Sequence, residues 1–185
     1  MIKSTVRIKS KLPSVSTNIF TQMSVLATEY NAVNLAQGFP NFDVAPELIS
    51  LVSKAMTDGQ NQYAPMQGIL ELRQELSIAF EKNYGSKYDP EAEITITSGA
   101  TQAIYSAITA IIHEGDEAIV IEPAFDIYVP GIKMNGGIVK PYKLQGDDYH
   151  IDWAELKRLI THNTKLIIIN SPHNPTSTVL SKEDM

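Results

Sequence analysis

The sequence has no cysteine and no long apolar run, and each absence excludes a class of protein. Without cysteine the chain forms no disulfides and no thiolate metal sites, which agrees with a reducing compartment. The longest apolar runs, of which Leu166 to Ile169 is one, are far too short to span a bilayer. The basic start is not followed by the apolar segment that a secretory signal needs. We therefore expect a cytoplasmic protein that holds no metal and enters no membrane.

A block of positive charge is also missing. The chain has 15 Lys and Arg against 21 Asp and Glu, which gives a net charge of -6. Proteins that bind nucleic acid usually carry a basic face, so we expect no nucleic-acid partner. A solvated tail is predicted for the few basic residues near the start, Lys3, Arg7, Lys9 and Lys11. The hydrophobic fraction of 43% is typical of a globular protein.

Strands and helices alternate in the second half of the chain. Runs rich in β-branched residues predict strands at 93–97, 118–121, 138–144 and 166–169. Helical spacing between them predicts helices, one of which begins at Gly99 and another of which is capped by Asp152. This alternation predicts an α/β fold with a three-layer, mainly parallel sheet. The run at 166–169 is the most apolar, a pattern typical of a strand buried on both faces.

The first half of the chain is organised differently. Residues 1–45 show little periodicity, and we interpret them as an irregular arm with part of a small domain. Two helices follow, one from Glu47 to about residue 57 and one that stops near Gly85. We assign residues 46–185 to the N-terminal portion of one larger domain. The S-x-x-D pattern from Ser181 is typical of a helix start, and because only Met185 follows, we expect this domain to be truncated.

Two segments carry side chains suited to ligand binding. Residues 97–102 join a strand to a helix, and the N–H groups of Ala100 and Thr101 with the Thr101 hydroxyl suit a phosphate. Taken alone, this segment is better interpreted as an ordinary turn, and it lacks the glycines of a dinucleotide fingerprint. Residues 170–176 follow the most apolar strand, and their two prolines form a rigid loop that aims the Asn174 amide at a ligand. The alternative is a proline-rich turn in which Asn174 bonds its own backbone.

These segments and three others together resemble a known family. Residues 170–176 resemble the Asn-Pro loop of fold-type I aminotransferases of class I and II, and the turn at 99–101 is similar to their phosphate cup. Residues 19–24, 34–40 and 62–68 are similar to the branch of methionine aminotransferases and kynurenine–oxoglutarate transaminases. The resemblance extends over nearly the whole chain and covers the N-terminal half of the family's pattern. It implies that residues 46–185 belong to a large domain that binds pyridoxal 5'-phosphate.

The resemblance implies specific roles around this cofactor. Gly99, Ala100 and Thr101 correspond to residues that hold its phosphate, and Phe125 corresponds to an aromatic residue that stacks on its ring. Core packing is the alternative for Phe125. Asn174 corresponds to the amide that bonds the ring hydroxyl oxygen.

Three further residues correspond to positions in the first half of the family's pattern. Tyr63 matches a tyrosine that reaches the phosphate of the neighbouring subunit in a homodimer with shared active sites, although packing on its own subunit is the simpler alternative. Gly38 matches a main-chain contact to the substrate carboxylate, and Ile19 matches a residue that lines the substrate pocket. We interpret His173 as structural.

The implied reaction moves an amino group from an amino acid such as methionine, kynurenine or an aromatic one to a 2-oxo acid. In the family, the Schiff-base lysine, the aspartate at the pyridine nitrogen and the arginine at the substrate carboxylate all follow the Asn-Pro loop. They are expected beyond Met185, so this chain has no catalytic residue and is expected to be inactive alone. The family often has Thr-Gly after its Asn-Pro motif, and Ser177 replaces that glycine here.

Three alternatives remain open. A Rossmann-type oxidoreductase shares the α/β alternation but would need a different glycine spacing. A cysteine-conjugate β-lyase would use the same cofactor. A truncated paralogue without catalytic activity would act as a dimerisation or interaction partner, and the absent lysine favours it.

Overall fold

The computed structural model of the protein describes residues 9–13, 19–38 and 40–185. Lys3 and Arg7 of the predicted basic tail, and Phe39 of the 34–40 segment, lie outside these residues. The chain forms two compact units. Among the described residues, one comprises residues 9–13 together with Thr97–Met185, and the other comprises residues 19–38 and 40–96. We call them the sheet unit and the helical unit.

The helical unit contains three helices among its described residues. They are α1 (Ile19–Glu29), α2 (Pro46–Thr57) and α3 (Leu70–Tyr84). The sequence predicted α2 and α3, and the end of α3 at Gly85 is confirmed by its left-handed φ of 70°. The irregular arm predicted for residues 1–45 is wrong for α1. Apolar residues at positions 19, 23, 26 and 27 have helical spacing and would have identified this helix.

Arg73 on α3 binds the backbone of the segment that precedes the predicted strand at 93–97. Its side chain is 8% exposed, and its guanidinium donates to the carbonyl of Gly68 at 3.1 Å and to that of Pro90 at 2.5 Å. The predicted strand at 93–97 is wrong, because the residues after Pro90 run to residue 97 without joining a sheet. The Ile96 N–H donates to the Gln67 carbonyl at 2.9 Å. A β-branched run becomes a strand only when another strand pairs with it.

The sheet unit confirms the predicted α/β fold. Its strands are β1 (Glu117–Glu122), β2 (Ile138–Lys143) and β3 (Thr164–Ile168). They lie in the order β2-β1-β3, and both pairings are parallel. The helices of this unit are α4 (Gly99–Ile111), α5 (Tyr128–Met134) and α6 (Trp153–Arg158). The predicted cap of α6 is confirmed, since an Asp152 carboxylate oxygen accepts from the N–H groups of Ala154 and Glu155 at 2.9 and 3.0 Å.

Helices cover both faces of this sheet and make it the middle of three layers. On one face, the side chains of Ala118 and Val120 pack with residues of α4 and α5. On the other face, Ile119 and Ile121 pack with Tyr142 of β2 and Leu156 of α6. Side chains that alternate between two apolar faces explain why β1 reads as a continuous hydrophobic run.

The most buried strand is β1 and not β3, which contains most of the more apolar run at 166–169. β1 is central and four of its six residues are buried, whereas β3 lies at one edge of the three-stranded sheet. Leu166, Ile167 and Ile168 are only half-buried, and Ile169 is 49% exposed. Composition indicates how apolar a strand is but not which strands become its neighbours. None of the helices in the described ranges is long and apolar enough to cross a lipid bilayer.

Candidate functional site

The candidate site lies where β1 and β3 end. These strands are neighbours and parallel, so the loops that follow them leave the same edge of the sheet. The chain passes from β1 to β2 on one side and then crosses back to β3 on the other side of β1. The crevice outside the carboxyl ends of β1 and β3 is therefore a topological switch point, where ligands of α/β proteins commonly bind.

The N-terminus of α4 faces this same edge. At the other end of α4, Ile112 packs against Gly137, which directly precedes β2, so the helix runs antiparallel to the strands. Its 13 residues and the six residues of β1 each span about 20 Å. The helix therefore begins at the level where the strands end, which brings Gly99, Ala100 and Thr101 to the switch point.

The turn into α4 leaves backbone donors available to a ligand. Gly99 has a φ of 83°, a conformation that favours glycine, and nothing lies within 4 Å of the position that a Cβ would occupy. No side-chain cap from Ser98 is present in the described structure. The Gln102 carboxamide oxygen instead accepts the Ser98 N–H at 2.5 Å. Ala100 and Thr101 are exposed, and the first N–H groups of a helix have no partner within it, so this turn suits an anion.

Phe125 lies three residues after β1 ends. It is half-buried and packs against the core beneath α4 and α5. Its ring meets the Tyr128 ring edge to face, with a centroid distance of 5.9 Å and an interplanar angle of 85°. Burial raises the pKa of the Tyr128 phenol, so this tyrosine stays neutral. The contact orients the Phe125 ring and leaves part of its surface available for stacking.

Asn174 lies on the loop after β3, which we call the 170–178 loop. Its side chain is exposed, while its backbone N–H donates to the Asn170 carboxamide oxygen at 2.8 Å. The Leu180 N–H donates to the Ser171 hydroxyl at 3.0 Å and closes the base of the loop. Because the backbone is held in this way, the carboxamide of Asn174 is presented on a stable support at the same edge as Phe125 and α4.

Ser177, at the position where the resembled family often has glycine, adopts a left-handed backbone conformation. Its φ is 64°, in the left-handed region that side chains with a Cβ rarely occupy. Its N–H donates to the His173 carbonyl at 2.7 Å. The serine therefore keeps the loop geometry at a cost in conformational energy.

The remaining candidate residues belong to the helical unit. Ile19 opens α1 and is 59% exposed, and the Tyr63 side chain is fully exposed. Gly38 is exposed, with nothing within 4 Å of its Cβ position. The Asn34 carboxamide donates to the hydroxyl of Ser24 on α1 at 3.1 Å, which ties the segment before Gly38 to that helix.

The sequence did not predict two polar contributions to the sheet unit's site. The Gln102 side chain accepts the N–H of Ser98, just before α4, and leaves the first N–H groups of the helix without a side-chain cap; only the structure shows this contact. His173 is one of the few buried polar residues in the described chain, with 9% of its surface exposed. The prolines at positions 172 and 175 were a signal for a constrained position, but the hydrogen-bond partners of His173 could not be predicted from the sequence.

Comparisons with known proteins identify relatives of the chain. Residues 30–185 match the family described as "Aminotransferase class I and II". The methionine aminotransferase of Escherichia coli is 46% identical over 95% of this chain and 46% of its own length. The kynurenine–oxoglutarate transaminase of Dictyostelium discoideum is 37% identical over 93% of this chain and 43% of its own.

Solved structures agree. An E. coli structure described as having a methionine aminotransferase function superposes with a TM-score of 0.92 and 45% identity, over 97% of this chain and 47% of the other. N-succinyldiaminopimelate aminotransferase from Mycobacterium tuberculosis gives a TM-score of 0.90 and 39% identity, over 96% and 47%. The chain thus spans about half the length of the relatives that it matches.

Proposed function

Because the chain belongs to the class I and II aminotransferase family, we propose that it forms the cofactor-phosphate and ring-binding part of a pyridoxal-phosphate-dependent aminotransferase. The whole protein would transfer an amino group from an amino acid, with methionine, kynurenine or an aromatic amino acid as candidates, to a 2-oxo acid. The cytoplasm is the proposed location. The observation that carries this proposal is the meeting of an uncapped helix N-terminus, Phe125 and Asn174 at one switch point.

The residues present fit this cofactor. Its phosphate is anionic, and the exposed N–H groups at the start of α4 with the Thr101 hydroxyl are donors suited to an anion. Its pyridine ring is flat, and Phe125 offers an oriented aromatic face. Its ring oxygen needs a donor, and the Asn174 carboxamide is exposed and makes no hydrogen bond among the described contacts.

In this proposal the chain's residues bind and orient, and the cofactor supplies the electron sink for amino-group transfer. Ala100 and Thr101 hold the phosphate, Phe125 fixes the plane of the ring, and Asn174 holds a hydrogen-bond donor at the ring oxygen. Gly38 contacts the substrate carboxylate through its main chain, and Ile19 lines the substrate pocket. The proton-transferring lysine follows the Asn-Pro loop in the family and is not among these 185 residues.

Two glycines with matched geometry test the phosphate site. Gly99 and Gly115 have φ values of 83° and 86°, and neither has an atom within 4 Å of its Cβ position. A Gly→Ala change at either position therefore imposes a similar backbone strain of about 1–2 kcal/mol. Only Gly99 lies at the proposed phosphate turn. We expect Gly99→Ala to weaken pyridoxal phosphate binding by about 10-fold and Gly115→Ala to leave the affinity unchanged.

Binding is followed through the fluorescence of Trp153, the single tryptophan, with pyridoxal lacking the phosphate as a second ligand. Gly99→Ala should affect the phosphorylated ligand more strongly than pyridoxal. Equal losses for both variants, or for both ligands, would count against a phosphate site at this turn. We also expect the 185-residue chain to show no transamination with methionine or kynurenine, and turnover on the order of 1 per second would contradict the assignment of the lysine to another segment.

The proposed assembly is a homodimer with shared active sites. Support comes from the fully exposed Tyr63 side chain, which lies on a loop between two helices and is free to contact another subunit. Tyr84, also exposed and in the same unit, provides a matched control. Tyr63→Phe should weaken cofactor binding in the dimer, whereas Tyr84→Phe should not. Equal behaviour of the two variants would argue that Tyr63 plays no part in the partner's site.

A further inference from the structure

His173 has no role in the proposed function, yet it is buried next to the residue that contacts the cofactor ring. Its side chain is 9% exposed, while both neighbours in sequence, Pro172 and Asn174, are exposed. A polar side chain is buried in a loop only when its hydrogen bonds offset the loss of water. The contacts of His173 therefore indicate what the burial achieves.

The backbone of His173 closes the 170–178 loop from the inside. Its N–H donates to the Thr178 carbonyl at 2.7 Å, and its carbonyl accepts the Ser177 N–H at 2.7 Å. These two bonds enclose Asn174 within a short ring of backbone. The positive φ of Ser177 is part of this ring, because the chain must reverse there to return to His173.

The imidazole side chain also stabilises this closed stretch of backbone. Its Nδ1 lies 2.8 Å from the Thr176 hydroxyl, which donates to the Thr178 hydroxyl at 3.0 Å. The imidazole and the two hydroxyls therefore form one hydrogen-bonded chain inside the loop. Burial lowers the pKa of His173 and favours the neutral imidazole.

We propose that His173 is a positioning residue that holds the loop backbone at Asn174, and with it the Asn174 carboxamide, through the Thr176 and Thr178 hydroxyls. The inference rests on the proposed function, since the oriented amide matters only if it contacts the cofactor ring. The competing interpretation is that the imidazole simply fills space beneath the loop. The two differ in one respect: a space-filling residue affects stability, whereas a positioning residue affects binding through Asn174 alone.

The experiment uses the complete 185-residue chain and three loop variants. His173→Leu keeps most of the volume and removes the hydrogen-bonding Nδ1, and His173→Asn retains a carboxamide that can form a hydrogen bond close to the position of Nδ1. Thr176→Val removes the hydroxyl without altering the buried imidazole. A neutral hydrogen bond contributes about 0.5–1.5 kcal/mol, equivalent to about 2- to 12-fold in affinity. His173→Leu and Thr176→Val should weaken pyridoxal phosphate binding by this factor, and His173→Asn should recover most of the loss.

A double-mutant cycle separates positioning from packing. If His173 acts through Asn174, then adding His173→Leu to Asn174→Ala should weaken binding no further, because the oriented group is already gone. A loss of the same size in both backgrounds would overturn the proposal, as would unchanged affinity in His173→Leu and Thr176→Val. Chemical denaturation followed by Trp153 fluorescence establishes that each variant is folded, and Thr176→Val stands in should His173→Leu fail to fold.

A second measurement does not depend on the cofactor. The mobility of the Asn174 carboxamide, measured by nitrogen-15 relaxation, should increase in His173→Leu and Thr176→Val and remain near wild type in His173→Asn. If the wild-type chain binds no pyridoxal phosphate but these mobilities change as expected, the proposed function fails while His173 still positions Asn174. If the wild-type chain binds and neither affinity nor mobility changes, His173 is space-filling and the proposed function is unaffected.

Discussion

Replacing Ser177 with glycine should stabilise the sheet unit. Ser177 has a φ of 64°, where a Cβ approaches the carbonyl oxygen that follows it. The residue is exposed, and the bond that anchors it comes from its backbone N–H to the His173 carbonyl at 2.7 Å. Glycine retains that N–H and removes the Cβ. Ser177→Gly therefore relieves strain without removing the hydrogen bond that closes the loop.

The expected gain is the difference between two opposing effects. A left-handed conformation costs a residue with a Cβ about 1–2 kcal/mol relative to glycine. Glycine in turn loses more conformational freedom on folding, which costs about 0.5–1 kcal/mol. Ser177→Gly should therefore raise the free energy of unfolding by about 0.5–1 kcal/mol, because the strain outweighs the entropy.

Urea denaturation followed by Trp153 fluorescence measures this change, because the tryptophan lies in the same unit as Ser177. Ser106, an exposed serine in the middle of α4, is the matched control. Ser106→Gly undergoes the same chemical change without any left-handed strain to relieve, and it should lower the free energy of unfolding by about 0.5 kcal/mol. The denaturant slope should be unchanged in both variants.

Two results would refute this reasoning. If Ser177→Gly destabilises the unit as Ser106→Gly does, then the serine is not strained and its φ is maintained by favourable contacts. If Ser177→Ala loses as much stability as the glycine variant gains, then the hydroxyl and not the Cβ determines the energy. Opposite signs for the two glycine variants, with Ser177→Ala close to wild type, would support the account.

Three other expectations concern the caps, the core and the histidines. Asp152→Ala should lower the free energy of unfolding by about 0.5–2 kcal/mol, because two N–H groups at the start of α6 lose their acceptor; no change in the urea midpoint would contradict the cap. Gly137→Ala should cost about 1–3 kcal/mol, since a Cβ would lie 2.6 and 2.8 Å from core isoleucine carbons; an unchanged melting temperature would contradict that close packing. In a proton NMR titration, His173 should titrate below the ordinary value of 6.5 because of burial, and His150 above it because of its hydrogen bond to Asp148. As the pH falls below about 6.5, His173 takes up a proton in the unfolded chain before it does so in the folded chain, and this lowers the free energy of unfolding. His150 has the opposite effect. Its stabilising contribution is present below about pH 6.5 and is lost as the pH rises through the pKa of the folded state. Asp148→Asn should return the His150 midpoint towards 6.5, and an unchanged midpoint would exclude the carboxylate as the cause.

The elements with strong local signals were predictable from sequence. Helices α2 and α3 were identified by apolar spacing and by the residues that end them, and the cap of α6 by an aspartate at its start. The S-x-x-D pattern at Ser181 was also identified, and its reciprocal bonds are present, with the Ser181 N–H donating to Asp184 at 2.9 Å and the Asp184 N–H donating to the Ser181 hydroxyl at 3.2 Å. Caps and helical periodicity depend on residues a few positions apart, and so the sequence contains them.

Neighbour relations between distant segments were decided by the tertiary structure. The run at 93–97 looked like a strand but has no partner in the sheet, and the most apolar strand became an edge while β1 took the centre. The same holds for the candidate site. The sequence identified Gly99, Phe125 and Asn174 as candidate residues. It did not show that they lie at the same edge of the sheet, which follows from the strand order β2-β1-β3.

The smallest details of the site also required three dimensions. The sequence revealed that Ser177 stands where a glycine is common, yet only the backbone shows that the serine adopts the left-handed conformation. The sequence places His173 directly after Pro172 and indicates a structural role, yet its contact with Thr176 depends on how the loop closes. Local chemistry was therefore determined by the sequence, whereas pairing, burial and orientation were decided by folding, because they depend on which distant residues come within reach.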